Sequence, residues 1–358
     1  MARTVIPFGP QHPVLPEPVH LDLVIEDEKV VEARPSIGFI HRGLEKLAEK
    51  KDYNEFLFVA ERICGICSAI HGQTYCQAVE TLMNVSVPPR AVYLRTIWGE
   101  LSRIHSHLLW LGLMADGMGF ENLFMHSWRI RERVLNIIEA TTGARVIFGV
   151  CKVGGVRRDI EPDAIPGILA ELDSIEKDMR DVTKVFLNDK SVKARLCGVG
   201  VVSKQEAWDL GAVGPMLRAS GVAQDMRTLG YAAFSDIPVV PITRTEGDCY
   251  ARCAVRCEEL FQSVEIIRQA FNRIPPGEIA IKVTGNPAGE TITRTEQPRG
   301  EVVYHLKANG TKHLQRFRVR TPTFANLPVM LKILPGCDLA DVPMIVLTID
   351  PCISCTER

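Results

Sequence analysis

A chain of 358 residues with a hydrophobic share of 46% has room for one large globular domain or two ordinary ones. Its 42 basic and 43 acidic residues leave a formal charge of -1, so composition gives no electrostatic reason to propose nucleic acid or an anionic membrane surface as a partner. The longest apolar runs, Leu108 to Ala115 and Val342 to Ile349, fall short of the roughly 20 residues that span a bilayer, and Met1 to Pro18 does not resemble a signal peptide. Any meeting with a membrane is expected to go through a partner.

The first segment, Ile6 to Pro13, is too rich in Pro and Gly for a helix or a central strand and is expected to be an irregular arm. A hairpin follows, with Val19 to Ile25 alternating, Glu26-Asp27-Glu28 turning and Lys29 to Ala33 returning. Phe39 to Lys46 opens a helical pattern that leads to the first cysteine pair. From Arg90 to about Ala115 apolar residues recur every three or four positions, which predicts a long, mostly buried helix. Glu121 to Thr142 and Asp163 to Asn188 predict two more, and another runs from near Glu246 to about Asn272. Ile279 to Thr284, Glu301 to Lys307 and Gln315 to Thr321 are β-branched or alternating and predict strands. The expected architecture is α+β with a mainly helical core. It is a single domain, 1–358, with an arm and hairpin over 1–36, helices over 37–273 and a β-containing part over 274–358.

Eleven cysteines are more than packing requires, and in a reducing compartment they are thiols and thiolates rather than disulfides. Cys76, Cys151, Cys197 and Cys337 stand alone and are expected to be small buried residues. Cys249, Cys253 and Cys257 share one helix face, but a lone row of this kind would need further ligands to hold a cluster and is taken as structural. The remaining four form two Cys-x-x-Cys pairs, Cys64/Cys67 and Cys352/Cys355, the second almost at the end of the chain. At this density about a third of one such pair arises by chance, so two together point to a metal site closed by the fold. Spacing and thiolate softness allow four-cysteine zinc, an iron-sulfur cluster, or nickel with iron.

The surrounding words are more specific. Arg62-Ile63-Cys64-Gly65-Ile66-Cys67 with His71, and Asp350-Pro351-Cys352-x-x-Cys355, resemble the two signature motifs of nickel-iron hydrogenase large subunits. Gly9 to Pro13, His41 to Lys46 and Gly247 to Arg252 resemble motifs shared with the quinone-site 49 kDa subunit of respiratory complex I. Both sets together resemble the energy-converting, membrane-associated group, of the Ech and CO-induced types. The resemblance runs from residue 7 to 358. A complex I subunit would lack the paired cysteines.

The resemblance implies a binuclear centre. Cys64 and Cys352 would be terminal ligands of nickel, while Cys67 and Cys355 would bridge it to an iron that also carries CO and cyanide. It implies heterolytic splitting of dihydrogen or the reverse, with the Cys352 sulfur as first proton acceptor and Glu17 as the relay carboxylate. Glu17 stands in Leu15-Pro16-Glu17-Pro18, which departs from the Glu-Gly-His form of better-known members. Arg299, in Glu296-Gln297-Pro298-Arg299-Gly300, corresponds to the arginine over the metals. Asp350 would orient Arg299 or the second cysteine pair, and His71 would donate to a bridging sulfur. Glu45 is left to a second relay or to a magnesium site, where relatives end in histidine and this chain in Arg358. The implied partners are a small subunit with a four-iron four-sulfur cluster, further iron-sulfur and integral membrane subunits, and ferredoxin. The place would be the cytoplasmic side of the membrane. The rival reading is a quinone-site subunit of a complex I relative without metal chemistry.

Overall fold

In the computed structural model the described residues are 3–13, 15 and 17–358. Met1, Ala2, Val14 and Pro16, the last in the expected relay loop, lie outside them. The expected irregular arm begins instead as a strand, β1 (Thr4–Phe8), antiparallel to β2 (His20–Glu26), which pairs on its other side with β3 (Lys29–Ser36). Pro7 is tolerated because β1 is an edge, where one side of the backbone needs no ladder partner. The β2-β3 turn places Asp27 and Glu28 at φ 48° and 63°, the left-handed pair of a two-residue hairpin.

Short α1 (Leu44–Ala48) and α2 (Tyr53–Glu61), capped by Asp52, lead to the first cysteine loop, from which α3 (Ser68–Met83) departs. The centre of the molecule is α4 (Pro89–Gly117), nearly all buried, with Pro89 at its first turn. Packed around it are α5 (Glu121–Thr142), ended by Gly143 at φ 82°, and, further along the chain, α10 (Cys249–Arg273). A small hairpin of β4 (Cys151–Lys152) and β5 (Gly155–Val156) precedes α6 (Ile165–Asn188), α7 (Lys190–Leu196), α8 (Lys204–Asp209) and α9 (Pro215–Arg218). The long α10 (Cys249–Arg273) starts at an Asp248 side chain that accepts from Ala251 N at 2.7 Å, a cap worth about 1 kcal/mol. One apolar cluster runs from Phe8 to Cys355.

The C-terminal part differs from expectation at its start. Ile279 to Thr284 is not a strand: its pairing with the short β5 is limited to one bridge, Ala280 with Gly155, flanked by Val156 N to Ile279 O and Ile281 N to Gly154 O, both at 2.9 Å. The sheet is β6 (Ala288–Gln297), β7 (Gly300–Asn309) and β8 (Leu314–Arg320), antiparallel in that order. β6 escapes a reading by hydropathy because its first seven residues are exposed or half-buried and Ile292 is the one large apolar residue among them. The chain then ends in helices, α11 (Pro322–Ile333), α12 (Val342–Thr348) and the single turn α13 (Ile353–Thr356). Of the isolated cysteines, Cys76 and Cys151 are buried as expected, whereas Cys197 is exposed and Cys337 half-buried.

Candidate metal centre

Both cysteine pairs sit where a loop turns into a helix. Cys67 is the residue from which α3 starts, and Ile66 N and Cys67 N point at Cys64 Sγ at 3.3 and 3.4 Å, so the loop folds around that sulfur. Cys352 likewise starts α13, which contains Cys355. Three threonines fix this last loop. Cys352 N donates to Thr323 Oγ1 at 3.1 Å, Thr321 Oγ1 donates to Cys355 O at 2.9 Å, and Thr356 Oγ1 donates to Cys352 O at 2.9 Å.

The fold brings the two pairs together. Cys64 Sγ lies 3.3 Å from Cys352 Sγ, and Cys67 Sγ lies 3.7 Å from Cys355 Sγ. Cys64, Cys67 and Cys355 have sulfurs within 4.8 Å of one another, the one such group of metal-capable side chains among the described residues, so the Cys249/Cys253/Cys257 row forms none. All four thiols are buried. Hydrogen bonding from Cys352, then from Cys355 and Cys67, holds the Cys64 thiol well below its ordinary pKa, while burial pushes the Cys67 and Cys355 thiols up. Four converging soft donors, one already inclined to be a thiolate, fit a soft or borderline metal ion.

Arg299 stands at the tip of the two-residue β6-β7 turn and is buried. Its Nε donates to Asp350 O and one terminal nitrogen to Asp350 Oδ1, both at 2.8 Å, while the other reaches Ser106 Oγ at 3.4 Å. Burial opposes its charge, but Asp350 and the sulfurs of Cys352, Cys64 and Cys67 outweigh burial and raise its pKa, so the guanidinium stays charged beside the thiols. Asp350 holds φ 56°, a left-handed conformation that Asp tolerates better than most residues, immediately before Pro351-Cys352. Its second carboxylate oxygen is buried without a partner.

His71 Nε2 lies 3.4 Å from Cys355 Sγ, and its Nδ1 2.6 Å from the Tyr304 hydroxyl. Burial lowers the imidazole to about 4, so it is neutral and can donate from Nε2 to sulfur while Tyr304 donates to Nδ1. Glu17 closes the other side. Its Oε2 accepts from Ile353 N and, at 3.0 Å, from Ser354 N, and its Oε1 from Ser354 Oγ at 2.6 Å. It is half-buried and holds the turn that follows Cys352. Glu45 is saturated: Arg318, Arg358 at 3.3 Å and Val319 N at 3.0 Å all bind its carboxylate, so guanidinium groups stand where a magnesium ion would need it.

Several contributors have no individual signal in the sequence. Arg42 donates to Arg62 O and Ile63 O at 2.9 Å and to Ser354 O at 2.8 Å, joining the two cysteine loops. The motif that contains it gives it no role of its own. Tyr304 and the threonines at 321 and 323 are ordinary residues until the strand and loop they belong to are placed.

Residues 117–285 and 281–358 match the family described as the respiratory-chain NADH dehydrogenase 49 kDa subunit, and residues 42–114 match nickel-dependent hydrogenase. The chain is 38% identical to the carbon monoxide-induced hydrogenase of Rhodospirillum rubrum over 100% of both chains. It belongs to the family of energy-converting nickel-iron hydrogenase large subunits and their complex I relatives. Within that family it is also 38% identical to the alpha component of the membrane-bound hydrogenase of Pyrococcus furiosus, over 99% of this chain and 87% of that one. It is 34% identical to a component of the NADH-quinone oxidoreductase of Chloroherpeton thalassium, over 97% and 86%. A solved structure, of the membrane-bound sulfane sulfur reductase, an archaeal respiratory membrane complex, superposes with a TM-score of 0.95 at 30% identity and covers 99% of this chain and 98% of that one. The α+β, mainly helical fold is thus that of the family. No helix among the described residues is long and apolar enough to cross a membrane.

Proposed function

We infer that the chain, as a single domain over residues 1–358, is the catalytic large subunit of a nickel-iron hydrogenase. It reduces protons to dihydrogen, or the reverse, with electrons from ferredoxin that arrive through a partner subunit bearing a four-iron four-sulfur cluster. The convergence of four buried thiols from the two ends of the chain carries this reading. Cys64 and Cys352 would hold nickel terminally, and Cys67 and Cys355 would share it with an iron bearing CO and cyanide. When bound, the centre supplies a redox-active site at which dihydrogen is polarised and split heterolytically.

The chain's own groups do the rest. Arg299 places a fixed positive charge beside the anionic sulfurs, and its two bonds to Asp350 tie that charge to the loop of Cys352. His71 donates to Cys355 without carrying charge. The Cys352 sulfur takes the proton, and Glu17, bonded to the two residues that follow it, carries the proton toward solvent. Further iron-sulfur and integral membrane subunits would hold the chain on the cytoplasmic side of the membrane and couple turnover to ion transport.

The rival, a quinone-site subunit of a complex I relative, draws on the long match to the 49 kDa family. Metal analysis and infrared spectroscopy of the purified complex separate the two. Nickel and iron in equal amount with CO and cyanide bands are expected; a complex with neither metal nor bands belongs to the rival.

A further inference from the structure

The two Cys-x-x-Cys loops are alike in sequence yet surround their first sulfurs differently. After Cys64, the N–H groups of Ile66 and Cys67 point at its sulfur at 3.3 and 3.4 Å. After Cys352, the Ser354 N–H, which corresponds to that of Ile66, goes to Glu17 Oε2 at 3.0 Å, and the Ile353 N–H goes to the same oxygen. Among the described residues no N–H group reaches the Cys352 sulfur, whose one close polar neighbour is Cys64 Sγ. Glu17 takes from one loop what the other loop gives to sulfur.

The Cys64 arrangement is held from α4. A peptide unit is planar and trans, so the C=O of Ile66 and the N–H of Cys67 are opposite ends of one rigid group. Its N–H end faces Cys64 Sγ. Its oxygen end is gripped by two side chains one turn apart on α4, His105 Nε2 at 2.8 Å and Ser102 Oγ at 3.3 Å. Both residues are buried. A carbonyl only accepts, so His105 carries its hydrogen on Nε2, and its Nδ1 is buried without a partner. Burial, with Arg131 acting in the same sense, lowers the ring to about 3, so the imidazole is neutral. Ile66 O is the ring's one hydrogen-bond partner.

A hydrogen-bonded carbonyl polarises its peptide and strengthens the N–H at the other end. That N–H also stands at the start of α3, whose first N–H groups have no carbonyl partner within the helix and form the positive end of its dipole. Donation to a thiolate draws electron density from the sulfur and weakens what it gives to a metal. Resting on the hydrogenase reading above, we propose that His105, with Ser102 beside it, is a positioning residue that aims the Ile66–Cys67 peptide at the Cys64 sulfur. Of the two sulfurs expected to hold nickel terminally, Cys64 is thereby the weaker electron donor and Cys352 the stronger. The inequality is set by α4 on one side and by Glu17 on the other, not by the cysteines themselves.

Three variants test this. H105Q keeps an N–H donor close to the place of Nε2, H105L fills the space without one, and S102A removes only the longer bond. In the metal-free chain, amide exchange over residues 64–68 should be fastest in H105L, intermediate in S102A and close to the parent in H105Q. Parent-like exchange in both H105L and S102A would make the ring and the hydroxyl packing alone, and the idea falls. In the purified complex, the nickel midpoint potential of H105L should move to a more negative value, and nickel should pass to a chelator about 10-fold faster; H105Q should restore both. An unmoved potential in H105L, or a loaded H105Q displaced as far as H105L, overturns the proposal. Should H105L fail to fold or to load nickel, S102A carries the same comparison: a smaller shift in the same direction is expected, and no shift overturns it. A parent complex without nickel would sink the hydrogenase reading, while the exchange rates would still decide whether α4 holds the loop.

Discussion

The imidazole of His71 meets the sulfur of Cys355, 3.4 Å away, across nearly the whole length of the chain. The ring is pinned from behind by Tyr304, so its Nε2–H has one direction to point. Groups that orient metal ligands typically contribute 10 to 100-fold in affinity or activity, on the order of 1–3 kcal/mol. His71→Ala should therefore lower dihydrogen turnover by about that factor and quicken nickel loss to a chelator. Tyr304→Phe, which keeps the ring and frees Nδ1, should have the same effect in weaker form. If His71→Ala matched the parent in both nickel retention and turnover, the contact would be packing alone.

Glu17 can be tested without disturbing the loop it holds. A glutamine at 17 still offers a carbonyl oxygen to Ile353 N and Ser354 N, and an amide to Ser354 Oγ, so α13 should remain in place. It cannot carry a proton. Glu17→Gln is expected to reduce turnover by about 100-fold or more with nickel content intact. Retained turnover in the metal-loaded complex removes Glu17 from the proton path.

Glu61 predicts a pH dependence of stability. The carboxyl is buried at the end of α2, wedged so that a Cβ on Gly72 would come within 2.7 Å of it, and its Oε2 has no hydrogen-bond partner. Burial raises it to about 7 against the pull of Arg157 and Arg62. Between the ordinary carboxylate value and 7 the folded chain binds a proton that the unfolded chain has released. Stability therefore falls as pH rises through that window, by up to about 3 kcal/mol for this one group. Denaturant midpoints of the metal-free protein at pH 5 and pH 8 should differ less in Glu61→Gln than in the parent. An equal drop in both would place the titration elsewhere.

What the sequence disclosed follows from where its signals are dense. The long helices were legible because apolar periodicity over α4 and α5 leaves little freedom, and the four cysteines because their neighbouring words are specific. β6 was hidden, since a strand whose exposed first half carries a single large apolar residue becomes a strand only when β7 lies beside it. The apolar run Val342 to Ile349 carries no period that fixes its type, and it is a helix because it packs against α4, where Trp110 Nε1 donates to Leu347 O at 2.7 Å. The same limit applies in the site. Arg299 with Asp350 followed from the motifs, whereas Arg42 and Tyr304 act by position, which no local pattern encodes.

Arg42 supplies the last prediction. Its guanidinium joins the carbonyls of Arg62 and Ile63, just ahead of Cys64, to the carbonyl of Ser354, between Cys352 and Cys355. The side chain is largely exposed, so these bonds add only about 1 kcal/mol to global stability after solvent screening. Their effect is local: they hold a C-terminal turn whose other anchors include Glu17, the threonines, Arg358 on Glu45, and Glu357, which accepts from Ile40 N at 2.6 Å. Arg42→Ala should leave the melting temperature nearly unchanged, while amide exchange over residues 352–358 rises and nickel escapes faster to a chelator. Arg42→Lys, a single point donor in place of a planar fork, should restore only part of the protection. Exchange rates in Arg42→Ala equal to those of the parent would show that α13 is held without the clamp.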